Sequence, residues 1–190
     1  RNAEAAGMKI DKRITNGRGT SWNDSRSQVT LANSDGFSGQ YKTTSASLSV
    51  GLLAEDEDGT KQSDGWFTFG RYLNKLDSPE AVGQEAGRRV VKKLGGRKIK
   101  SIAVPVVLDP QVASGLAGIV FGAASGSRVF RRSTFLVDKV GQQVASPMIT
   151  IVDDATMMDG VASRPFDGEG IKTSQVIVVE KGILKGYLCD

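Results

Sequence analysis

Apolar and polar residues alternate most cleanly between Ser45 and Leu52. Ala46, Leu48, Val50 and Leu52 fall on one face of an extended chain, and Ser45, Ser47, Ser49 and Gly51 on the other. A period of two with one apolar face marks a half-buried antiparallel strand. The strand is predicted over Phe37 to Leu53, preceded by a shorter one over Arg26 to Ala32 and by the turn Asn33-Ser34-Asp35-Gly36. An acidic loop, Glu55-Asp56-Glu57-Asp58-Gly59, leads into a third strand over Thr60 to Phe69, which completes a three-strand meander. The loop lacks the ligand spacing of a calcium loop and reads as a solvated hairpin tip. Upstream, Met8 and Ile10, continued by Ile14, suggest only a weak strand.

After Ser78 the period lengthens. Val82, Ala86, Val90 and Leu94 recur every fourth residue, with Ser78 as cap, Pro79 at the first position and Gly95-Gly96 as the stop. Such a helix covers one face of the meander, a two-layer α+β arrangement. A boundary is placed near Lys100. Residues 1–100 are then the C-terminal part of an N-terminal α+β domain, and 101–190 begin a β-rich C-terminal domain. In this second part a strand is predicted over Ile102 to Leu108, a helix from Pro110 capped by Asp109, and helical spacing at Leu136, Val140 and Val144. A strand over Met148 to Val152 and a hairpin, Gln175 to Glu180 and Ile183 to Leu188, complete it. The predicted fold class is α+β: an antiparallel meander packed with a helix, followed by a mostly β domain with inserted helices.

The helix after Asp109 is unusual. Val112, Leu116, Ile119 and Ala123 form one stripe, and Gly115, Gly118, Gly122 and Gly126 form a second beside it. Each interior glycine costs about 1 kcal/mol against alanine, so the stripe predicts close approach by another backbone or a ligand. The charge-free run from Gln111 to Ser127 is short of the about 20 residues of a membrane span and reads as a buried helix.

Composition narrows the chemistry. The 190 residues contain no histidine and one cysteine, Cys189, so these residues can build neither a Ser-His-Asp triad, nor an H-E-x-x-H helix, nor an internal disulfide. A cytoplasmic setting is the default expectation. The net charge of +4 owes much to Arg88, Arg89, Lys92, Lys93, Arg97, Lys98 and Lys100. That run could track phosphates, but with few aromatics near it a solvated helix face complementing the macrodipole is the favoured reading, and nucleic acid is not an expected partner. Asp153, Asp154, Asp159, Asp167 and Glu169 form a carboxylate-rich region near glycines. Turn chemistry accounts for it more simply than a metal cage does. Arg164 could clamp a carboxylate such as Asp167 in the same loop. Ser114, Ser125 and Ser127 lack an activating base. The chain opens on Arg1 and closes in a strand-like run, which reads as an excerpt of a longer protein.

Several segments, taken in order, resemble one family. ANSDGFSGQY (Ala32 to Tyr41), VPVVLDPQVASGL (Val104 to Leu116), STFLVDKVGQQVASP (Ser133 to Pro147), ITIVDD (Ile149 to Asp154), SRPFDGEG (Ser163 to Gly170) and the closing EKGILKGYLCD are similar to the TldD/PmbA family, and within it to the PmbA (TldE) branch. The resemblance implies a link to peptide proteolysis and to modulation of DNA gyrase. It places the zinc-binding H-E-x-x-x-H helix of the TldD branch at the glycine-striped segment, where Gly118, Ile119, Gly122 and Ala123 stand in or beside the ligand positions. It therefore implies a subunit without a cofactor of its own, with zinc expected only in a TldD-like partner. The implied assembly is a heterodimer with that partner, or a homodimer, acting on unfolded peptide, with Arg164, Asp167 and Glu169 as candidate peptide or partner contacts. A nucleic-acid-binding or gyrase-modulating module is the alternative, and a homodimeric peptidase with unfamiliar ligands such as Asp153 or Glu169 a third.

Overall fold

The computed structural model describes residues 1–189 and divides into two units. The first comprises Arg1–Lys100 with Met158–Ala162 and Gly168–Gly170; the second comprises Ser101–Met157, Ser163–Asp167 and the chain from Ile171 onward. Each contains an antiparallel three-stranded sheet and helices, an α+β fold.

In the first unit β1 (Ile14–Ala32), β2 (Ser38–Glu55) and β3 (Lys61–Gly70) form the meander, in the order β1-β2-β3. The alternation in β2 sorts its faces as predicted: Ala46, Leu48, Val50, Leu52 and Ala54 are all buried. Helix α2 (Pro79–Lys92) covers the last four of them with Val82, Ala86 and Val90, each fully buried. The Ser78 side chain accepts from the Ala81 N–H at its start. Strand β1 begins at Ile14, earlier than expected. From Thr15 to Gln28 its residues other than Trp22 are polar or glycine and mostly exposed, so no apolar alternation marks it, and the backbone ladder to β2 holds it in register. Because β3 ends where Gly70 faces Ala46, the β1–β2 hairpin continues beyond it as a two-stranded ribbon.

The weak strand expected around Met8 and Ile10 is instead a helix, α1 (Asn2–Met8). It lies against α2 because side chains are missing at the crossing. A Cβ on Gly83 would fall on the Ala3 carbonyl oxygen, and one on Gly87 would lie 2.7 Å from the Gly7 carbonyl oxygen. One on Gly7 would lie 2.6 Å from the Gly83 carbonyl oxygen. The acidic hairpin tip is also part of the packing, since the Asp56 carboxylate accepts from the Gly95 N–H at 2.7 Å, just past the end of α2. The basic run is partly tied down as well. Lys93 reaches Asp64 at 3.2 Å, Arg89 approaches the same carboxylate at 3.9 Å and lies over the Trp66 ring at 4.9 Å, and Arg88 pairs with Glu85.

The second unit pairs β4 (Ile151–Asp154), β5 (Gln175–Glu180) and β6 (Ile183–Leu184). Lys181 and Gly182, both at positive φ (47° and 81°), make the tight turn between β5 and β6. The core gathers Val178, Val179, Leu184, Leu136, Ala123 and Ala124. Two predicted elements are corrected. Ile102 to Leu108 is not a strand: the segment joins no ladder and leaves Val107 99% exposed. Leu136, Val140 and Val144 do not share a helix, because positive φ at Asp138 (58°) and Gly141 (83°) breaks the segment into turns.

Gly83→Ala is expected to force α1 off α2 and to lower stability by about 2–3 kcal/mol, the scale of overpacking a core, measurable by urea denaturation; an unchanged midpoint would contradict the crossing. Asp11 receives both the Arg13 side chain and its backbone N–H, which hold its pKa down to about 2. A depressed carboxylate stabilises above its unfolded pKa, about 3.9, and that contribution fades as pH falls toward the folded value. An NMR titration therefore places the Asp11 midpoint near 2, and Arg13→Ala returns it toward about 3.9.

Candidate functional site

Helix α3 (Pro110–Ala123), the glycine-striped segment of the sequence, lies in the second unit. Pro110 fills its first position, and the Asp109 side chain accepts from the Gln111 N–H at 3.0 Å. The predicted burial of this helix is corrected. Only Ala123 is buried, while Val112, Leu116 and Ile119 are more than half exposed. A Cβ placed on Gly115, Gly118 or Gly122 would meet nothing within 4 Å. Apolarity on every face signals a helix that requires cover, and within this chain cover reaches only its C-terminal end. Close approach occurs one turn later, at Gly126, whose N–H donates to the Leu188 carbonyl at 2.6 Å and whose added Cβ would lie 2.9 Å from the Cys189 sulfur.

That end of α3 borders a cavity of about 480 Å³ contained within the second unit. Phe121 and Gly122 form one wall, Leu188 and Cys189 another, and Val176 of β5 and Tyr187 contribute apolar surface. Asp153 and Arg164 bring opposite charges to the same space. Each is positioned by its backbone. Asp153 lies in β4, in register with Val176. Arg164 is held on both sides of its peptide: its N–H donates to the Ala155 carbonyl at 3.1 Å, and its carbonyl accepts from the Thr173 hydroxyl. The Tyr187 hydroxyl donates to the Leu136 carbonyl at 2.8 Å, which fixes its ring.

The carboxylates grouped by sequence are dispersed by the fold. Asp154 accepts from Thr156 and Gln175, and the Thr156 hydroxyl and N–H hold its pKa below the usual range. Asp159 belongs to the first unit, where it pairs with Lys75, whose hydrogen bond lowers its pKa. Asp167 accepts from the Ile171 N–H at 2.9 Å, and Glu169 offers its carbonyl to the Asn33 amide. Of the site residues expected from sequence, the fold brings Gly122 and Arg164 to one cavity, leaves Gly118 and Ile119 exposed on α3, and buries Ala123 in the core. Asp153 joins the cavity through its strand register, a relation that sequence separation from Arg164 conceals.

Whether these residues suit zinc is a question of donor atoms. Gly118, Ile119, Gly122 and Ala123 carry none in their side chains, the sequence has no histidine, and among the described residues no group of three His, Cys, Asp or Glu side chains could hold a metal ion. The site does not fit the metal.

Comparison with known proteins gives consistent matches. The model of the PmbA/TldA metallopeptidase central domain matches residues 1–94, and that of the C-terminal domain matches residues 101–190. Metalloprotease PmbA of Escherichia coli O157:H7 is 39% identical over 186 residues, 98% of this chain and 41% of the relative. The PmbA homolog of Haemophilus influenzae is 35% identical over the same shares of the two chains. A crystal structure of a proposed modulator of DNA gyrase from Bacteroides thetaiotaomicron superposes with a TM-score of 0.91 at 31% identity, covering 100% of this chain and 44% of that one. TldE from Thermococcus kodakarensis, at 24% identity, shares the fold with a TM-score of 0.81 over 99% of this chain and 42% of its own. The chain thus spans about two fifths of the length of the relatives it matches. With two successive domain models of one family covering nearly all of it, the chain belongs to the PmbA/TldD metallopeptidase family.

Proposed function

We propose that the protein is a PmbA/TldE-type subunit that carries no zinc, joins a zinc-bearing TldD-like subunit and helps hold unfolded peptide for cleavage. The observation that carries this reading is the side-chain chemistry of α3, where the four positions expected for the zinc helix present only hydrogen or hydrocarbon. The chain's own part is recognition. Strand β1 is an edge of its sheet over 19 residues, and β2 extends beyond the end of β3. Edges of this kind pair with an extended peptide through main-chain hydrogen bonds, which suits substrates of varied sequence. A homodimer is the alternative assembly. Binding of nucleic acid, the alternative function, draws less support, since Arg88, Arg89 and Lys93 are engaged with carboxylates of their own unit.

The test is reconstitution. The full-length protein alone leaves an unstructured peptide intact, and the same protein mixed with a TldD-like subunit cleaves it faster than that subunit does alone, read by mass spectrometry. Cleavage by the protein alone would contradict the proposal.

A further inference from the structure

The cavity at the end of α3 contains an electrostatic feature that the proposed function leaves unused. Every other described carboxylate of the second unit is engaged: Asp109 caps α3, Asp138 pairs with Arg132, Asp154 accepts from Thr156 and Gln175, Asp167 closes its own loop, and Glu180 pairs with Lys185. Among the described residues, the side chains of Asp153 and Arg164 have neither an ion pair nor a hydrogen bond, although both line the same cavity. Opposite charges facing one cavity without closing on each other leave a donor and an acceptor for something between them. Their backbones are fixed, Asp153 by the β4–β5 ladder and Arg164 by Ala155 and Thr173, so binding has only the two side chains left to order.

The rest of the lining defines the class of ligand. Phe121, Val176 and Leu188 offer apolar surface beside the charges. The volume of about 480 Å³ lies in the range of small-ligand sites. A guanidinium presents two parallel N–H donors that match a carboxylate, and a carboxylate accepts from a backbone amide. The last residue of a peptide carries this set of groups: a terminal carboxylate, an amide N–H and a side chain.

We propose that this cavity receives the C-terminal end of a peptide. Arg164 takes the terminal carboxylate, Asp153 accepts from the last amide N–H, and the last side chain, when apolar, rests on Phe121, Val176 and Leu188. The proposal rests on the reading of the protein as a peptide-handling subunit and adds that it reads one end of the chain. Peptides with an apolar last residue and a free carboxylate are then held in preference to internal segments.

The experiment uses the full-length protein and two probes, acetylated Ala-Ala-Leu as the free acid and as the C-terminal amide, with binding measured by calorimetry. The acid binds at least tenfold more tightly than the amide. Arg164→Gln removes that preference while circular dichroism shows the fold intact, and Arg164→Lys retains part of it. Asp153→Asn weakens acid and amide by a similar severalfold factor and leaves the preference in place. Equal binding of acid and amide, absence of binding by either, or a preference that survives Arg164→Gln would overturn the assignment. Partner-dependent cleavage that persists alongside equal binding removes only this assignment. A carboxylate preference in a protein that cleaves peptide alone retains the pocket and removes the proposed non-catalytic role.

Discussion

Burial of one face of β2 under α2 is the interaction on which the first unit depends. Four side chains at alternate positions, Leu48, Val50, Leu52 and Ala54, meet Val82, Ala86 and Val90, and helix α1 can add its cover only because Gly7, Gly83 and Gly87 leave room for backbone against backbone. With that packing in place the sheet can extend past its core. The distal β1–β2 ribbon has little apolar surface of its own and is anchored through β2, whose other end is in the core. Stable anchorage and an exposed edge are thus two parts of the same strand.

The second unit joins an apolar helix to a charged cavity at its end. Helix α3 carries no charged, histidine or cysteine side chain, while its C-terminal end frames a cavity that Asp153 and Arg164 line with opposite charges. Among the described lining residues the nucleophilic side chains include Ser125 and Cys189, and the sequence places no histidine beside either to serve as base. The Ser125 hydroxyl lies 3.1 Å from that of Ser127.

Sequence made some of this legible and concealed the rest for definite reasons. The β2 faces and the start of α2 were readable because burial on one side imposes a period and a cap imposes a residue type. Most of β1 was not, since a strand exposed on both faces has no apolar period to show. The α1–α2 crossing left only glycines within helices, which read as weak helix formers until the partner helix is known. The glycine stripe of α3 pointed to close approach that this chain provides only at Gly126. Asp153 and Arg164 each stood out in the sequence, but their common cavity depends on the pairing of β4 with β5 and on a loop returning to it, a long-range relation with no local signature.

Peptide handling without a metal of its own is tested most directly by the zinc content of the full-length protein, purified without a partner and measured by atomic emission after extensive dialysis. Far less than one zinc per chain is the expected result. One tightly held zinc per chain would contradict a subunit that works without a metal.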